Sequence, residues 1–179
     1  MNKTFVSLAA STALAMLALA PAAQAHVTLE QRSAPAGAYQ KLTFRVGHGC
    51  EGSATRSLSV LLPESVVGAK PMPKNGWKVI AVDGKLSVPV ESHGKTISSA
   101  VREIRWTGGP LPDAHYDEFS MQVKLPEDAG KLYFKVVQQC VKGALAWDEM
   151  PGDSAVKLKS PAPVLDVVSE PAAAPAHQH

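Results

Sequence analysis

Fourteen prolines and thirteen glycines cut this chain into short runs, and the regular pattern inside most of those runs has a period of two. Residues 41–46 alternate polar and apolar, which places Leu42, Phe44 and Val46 on one face of a half-buried strand. Residues 119–125 alternate in the same way and stop at Pro126, and residues 57–62 form another strand stopped by Pro63. Residues 77–82 and 86–90 flank Asp83-Gly84, the strongest two-residue hairpin signal in the chain, while Pro89 marks the second run as an edge strand or a bulge. Residues 101–106 lead into a predicted turn at 107–110. Residues 132–140 form the longest predicted strand, and Lys142-Gly143 turns the chain before residues 145–149. Residues 27–29 are a short strand candidate, 33–37 are rich in turn residues, 63–76 read as a connection with a helical turn at 64–67, and 164–168 are a last strand or part of the tail. Eight to ten short strands without a long helix predict an all-β fold, a single immunoglobulin-like or cupredoxin-like β-sandwich. That architecture hosts many unrelated functions, so the chemistry must be argued from particular residues.

The first 25 residues have a basic start at Lys3, an apolar run from Phe5 to Ala20, a break at Pro21 and the small-x-small ending Ala23-Gln24-Ala25. This is the pattern of a secretory signal cleaved behind Ala25, and the apolar run is short against the ~20 residues of a spanning helix. The predicted organisation is therefore a signal at 1–25, one domain at 26–168 and a disordered Pro/Ala-rich tail at 169–179. No second apolar run predicts a membrane span, and the expected location is the periplasm or the exterior. The formal charge of +2 falls by one when Lys3 leaves with the signal, which gives no electrostatic reason to bind nucleic acid.

Two cysteines, Cys50 and Cys140, then lie in an oxidising compartment with no other cysteine to choose from. They are expected to form one disulfide, with thiolate metal ligation as the rival and no CxxC spacing to support it.

Cleavage behind Ala25 makes His26 the first residue of the mature chain. An N-terminal histidine offers a metal its α-amine and its imidazole Nδ1, which together close a six-membered chelate ring that an internal histidine cannot form. Nitrogen donors of this kind suit Cu(II) among the common divalent metals. A square-planar ion needs two further donors, and Glu51, in a glycine-rich loop beside Cys50, is the expected carboxylate, with Glu149 and Glu30 as substitutes. A Cys50–Cys140 bridge would bring that loop beside the hairpin carrying Trp147, which makes Trp147 a candidate wall of the same pocket.

The sequences HVT at 26–28, GCEGSAT at 49–55, LPDAHYDEF at 111–119 and VQQCVKGALAWDE at 137–149 resemble the YcnI-like family of secreted copper-binding domains, over nearly all of the mature chain. The resemblance implies a β-sandwich that binds Cu(II) through a single-histidine brace, here His26, with Glu51 as carboxylate ligand and Trp147 nearby. It implies copper trafficking or homeostasis without turnover, with the copper ion, another periplasmic copper chaperone or a copper transporter as partners. Members often carry a C-terminal membrane helix, which this sequence lacks.

Other residues carry less. His48 is close to Glu51 but its flanking glycines suit a mobile loop; His93 and His115 are expected in solvent; His177 and His179 would at most scavenge metal from the tail. Met72, Met121 and Met150 form no thioether cluster for Cu(I), so Cu(II) is favoured, with reduction as a release step. The alternative function is a copper-dependent oxidative enzyme of the polysaccharide monooxygenase type, which shares an N-terminal histidine but needs a second one and a flat aromatic surface. A metal-free structural or adhesive sandwich is the third reading. Nucleophilic catalysis and phosphate-binding loops find no motif here.

Overall fold

The computed structural model describes residues 26–92, 94–152 and 157–169. The predicted signal, the tail beyond Ser169 and His93 lie outside the described residues. Twelve strands occur among the described residues: β1 (Thr28–Leu29), β2 (Ser33–Pro35), β3 (Tyr39–Val46), β4 (Thr55–Leu61), β5 (Val67–Pro71), β6 (Trp77–Ser92), β7 (Lys95–Leu111), β8 (Asp117–Lys124), β9 (Gly130–Tyr133), β10 (Lys135–Cys140), β11 (Ala144–Trp147) and β12 (Val164–Val168). They form a four-stranded sheet in the order β1-β3-β8-β5, a five-stranded sheet β11-β10-β4-β7-β6 and a three-stranded sheet β2-β12-β9. No helix long and apolar enough to cross a membrane occurs among the described residues.

The two larger sheets bury their inward faces against each other. Leu42, Phe44 and Val46 of β3 and Phe119, Met121 and Val123 of β8 are inaccessible or nearly so, as the alternation predicts. They meet Leu58 and Val60 of β4, Ile104 and Trp106 of β7 and Val136 of β10 in one apolar core. Phe119 spans the gap, with its ring centroid 5.6 Å from Trp106 and 4.9 Å from Trp77. Each such ring contributes about 1.5–3 kcal/mol by leaving water. This is the sandwich expected from the sequence.

Several local expectations are corrected. Asp83-Gly84 makes no turn: β6 runs straight through it, and the hairpin with β7 closes between Ser92 and Lys95. The pairing register instead shifts between Val82 and Asp83. Arg102 lies over this point, and a Cβ on Gly84 would sit 2.7 Å from Arg102 Cγ. The guanidinium reaches the carbonyls of Leu62 and Pro63, so the glycine serves a crossing side chain rather than a reversal. Pro89 falls in a second register shift on a terminal strand, as its residue type predicts.

The predicted turn at 107–110 is also strand, part of β7. A Cβ on Gly109 would meet the Trp77 ring at 2.9 Å, and one on Gly108 would meet the Gly76 carbonyl at 2.4 Å, so these glycines let β6 and β7 approach. The 63–76 connection opens with a turn in which the Val66 N–H donates to the Pro63 carbonyl at 2.9 Å, close to the expected helical turn, and then contains β5; the turn-rich 33–37 segment contains β2, paired in parallel with β12. The 132–140 run is two strands. It breaks at buried Phe134, whose N–H donates to the Pro163 carbonyl, so β9 joins the small sheet while β10 joins the five-stranded one.

The Cys50–Cys140 disulfide is present, with Cα atoms 5.9 Å apart and a sequence separation of 90. Replacing both cysteines by serine should lower unfolding free energy by about 2–5 kcal/mol. Urea unfolding followed by tryptophan fluorescence measures this, and an unchanged midpoint would show that the bridge does not stabilise the sandwich.

Candidate metal centre

Three segments meet at one end of the sandwich: the lead-in to β1, the loop between β3 and β4, and the hairpin β10–β11. The disulfide joins the second to the third. A buried glutamine then sets their spacing. Alternation along β10 turns Val136 and Gln138 inward, and Gln138 is completely buried. A primary amide there must find partners, because an unpaired buried donor or acceptor costs about 1–3 kcal/mol. Gln138 Oε1 accepts from Trp147 Nε1 at 3.2 Å, and Gln138 Nε2 donates to the His48 carbonyl at 2.7 Å and to Thr55 Oγ1 at 2.8 Å. The indole N–H can only donate and the carbonyl can only accept, so the amide has one orientation.

The loop itself is built tightly. Residues Cys50 and Ser53 exchange both backbone hydrogen bonds, at 3.0 and 2.9 Å. Glu51 and Gly52 form the tip of this turn with φ of 49° and 82°. Gly49 must be glycine, since a Cβ there would lie 1.9 Å from the Ser53 carbonyl oxygen. The Gly49 N–H donates to Asp113 Oδ1 at 2.8 Å, which brings in the connection between β7 and β8. The Lys142 N–H donates to Ser53 Oγ at 2.8 Å, fixing the loop to the far hairpin as well. The mobility expected from the glycines is therefore replaced by a pinned loop.

Trp147 is only 3% exposed and meets one of the other predicted site residues, His26. The His26 ring lies 5.5 Å from the Trp147 ring at an interplanar angle of 52°. Thus Trp147 is a core residue that buries its body while one part of the indole meets the half-exposed His26. His48 meets the same indole edge-on, at 6.1 Å and 78°. Its Nε2 is buried without a hydrogen-bond partner among the described residues.

Glu51 is exposed at the turn tip and takes no hydrogen bond or ion pair among the described residues, while its neighbour Cys50 is held by the bridge. The substitutes are committed elsewhere. Glu149 Oε2 accepts from the N–H groups of Lys159 and Ser160 at 2.7 and 2.9 Å. Glu30 pairs with Arg45 at 2.7 Å. His115 is exposed on the connection that carries Asp113; His177 and His179 lie outside the described residues.

Among the described residues no three His, Cys, Asp or Glu side chains gather as a metal cluster. A brace does not require such a cluster, because one histidine residue supplies two of its nitrogens and one of these is a main-chain amine. The donor chemistry at Trp147, an accessible imidazole at the start of the domain and a second imidazole nitrogen without a partner, fits a nitrogen-seeking ion such as Cu(II). Sequence reasoning passed over Gln138 and Asp113. Inward alternation from Val136 would have flagged the glutamine as a buried polar group, whereas no local signal relates Asp113 to Gly49.

The fold is an immunoglobulin-like β-sandwich with its one disulfide beside this histidine–tryptophan contact. The chain belongs to the DUF1775 family, a domain of unknown function, whose model matches residues 26–167. An uncharacterized protein from Nocardia farcinica, whose crystal structure is described as revealing an immunoglobulin-like fold, is similar with a TM-score of 0.63 at 24% identity, over 80% of this chain and 99% of that one. A putative membrane anchored protein from Corynebacterium diphtheriae gives a TM-score of 0.42 at 11% identity, over 82% of this chain and 34% of that one. No curated protein matches the sequence.

Gln138→Leu should leave the Trp147 N–H and the His48 carbonyl unsatisfied and destabilise the domain by about 1–3 kcal/mol. Urea unfolding checks the magnitude, and a change in tryptophan emission maximum would report the lost indole hydrogen bond. An isoenergetic variant with native emission would show that water replaces the amide.

Proposed function

We propose that this chain is a YcnI-like copper-binding protein of the periplasm or extracellular space, holding Cu(II) at a mature N-terminus created by cleavage behind Ala25. His26 would supply its α-amine and Nδ1, Glu51 a carboxylate, and Trp147 the wall that shields one side of the ion. The observation that carries the reading is the His26–Trp147 ring contact at 5.5 Å, beside a loop clamped by the disulfide. A chain threaded at random through a signal cleavage site has no reason to seat its first ring against a buried indole.

Support also comes from Glu51, whose carboxylate is exposed and uncommitted in the clamped loop while those of Glu149 and Glu30 are engaged in structural contacts. Copper binding without turnover, in trafficking or homeostasis, is the role this supports, with another copper chaperone or a copper transporter as partner. The oxidative alternative requires a broad aromatic platform for a polymer; the exposed large aromatic side chains among the described residues are Tyr39 and Tyr116.

A mature protein beginning at His26 should bind one Cu(II) with a type-2 electron paramagnetic resonance spectrum. The same protein with one additional residue ahead of His26 should lose that spectrum and most of the affinity; equal binding by both would refute the brace. Glu51→Gln should weaken binding by a smaller factor, because it removes one charged donor and leaves the chelate ring intact, and competition titration measures the difference.

A further inference from the structure

We propose that His48 is a second imidazole donor to the metal held at His26, coordinating through Nε2. This rests on the reading of His26 as a copper brace, and it adds a third nitrogen to that site.

The tautomer points to it first. His48 Nδ1 lies against the Gly49 carbonyl, which can only accept, so this contact favours the tautomer that donates at Nδ1 and leaves the lone pair on Nε2. An imidazole that donates one N–H to a backbone carbonyl and presents its other nitrogen as an acceptor is oriented as metal-bound histidines are. That other nitrogen is sealed from water, and no donor among the described residues satisfies it. A buried acceptor lone pair without a donor carries a desolvation cost that nothing in the loop offsets, whereas a cation would offset it.

The placement is equally specific. Both His26 and His48 meet the indole of Trp147, at 5.5 and 6.1 Å between ring centroids. The His48 backbone is immobilised from three directions, by Gln138 on its own carbonyl, by Asp113 on the next N–H and by the disulfide one residue later. Such support is what a donor needs to be held in place before the ion arrives. The site then has three nitrogen donors, the α-amine and Nδ1 of His26 and Nε2 of His48, for a Cu(II) ion.

The test uses mature protein starting at His26, loaded with cupric chloride alone, and counts coordinated imidazoles by electron spin-echo envelope modulation from their remote nitrogens. Two imidazoles are expected in the wild-type protein and one in His48→Gln. Cu(II) affinity should fall by about 100-fold or more in the variant, since even outer-shell partners are worth about 10–100-fold. One imidazole in the wild-type protein would overturn the assignment while leaving the His26 brace standing, as would unchanged affinity in a folded His48→Gln. Absence of Cu(II) binding by the wild-type protein would overturn both. The wild-type count needs no variant, so it decides the matter even if His48→Gln fails to fold.

Discussion

The buried amide of Gln138 is the constraint on which this end of the molecule depends. Its three hydrogen bonds go to three different places, the Trp147 indole on β11, the His48 carbonyl in the β3–β4 loop and the Thr55 hydroxyl at the start of β4. A core of leucine and valine would hold the sheets together without regard to how those segments are oriented, because apolar burial is non-directional. The amide is directional, and with one carbonyl and one NH₂ its partners cannot be exchanged. The Cys50–Cys140 bridge adds a covalent limit between the β3–β4 loop and β10, so the site rests on a polar contact inside the core and a cross-link at its rim.

Elsewhere the sandwich is shaped by close approaches that a local reading of glycine mistakes for turns. Gly84 lies under the side chain of Arg102, and Gly108 and Gly109 lie against Gly76 and Trp77. In each case the missing Cβ makes room for a neighbour on an adjacent strand, and the strand continues. Phe134 shows the opposite limit of local reasoning. The run 132–140 has the composition of one long strand, yet the chain changes sheets at a residue whose N–H is taken by Pro163, from the other end of the domain.

The candidate site was partly legible in the residues themselves. His26 stood out because of the cleavage pattern before it, and Trp147 because a bridge between two solitary cysteines had to bring its hairpin near the loop carrying Glu51. The disulfide and the hydrogen bonds from Gln138 to His48 and from Lys142 to Ser53 place that hairpin beside the loop, and His26 meets Trp147. His48 read as a residue in a flexible glycine-rich loop, since glycine signals backbone freedom when its surroundings are unknown. Its surroundings remove that freedom: Asp113 and Gln138 lie 64 and 90 residues away from the groups they hold.

Period-two alternation and proline stops determined by themselves that the chain is a β-sandwich, and which faces of β3 and β8 turn inward, because those are properties of a strand and its immediate sequence; the 16- and 17-residue lengths of β6 and β7 were not legible there. The cysteine count fixed the one possible pairing, and the export signal pointed to its oxidation to a disulfide. What only the tertiary structure decided is which polar groups meet at Trp147 and which glycines accommodate a neighbour. Those facts concern atoms far apart in the chain that become adjacent when the sheets close, and hydrogen-bond satisfaction in a dry interior is settled by that adjacency alone.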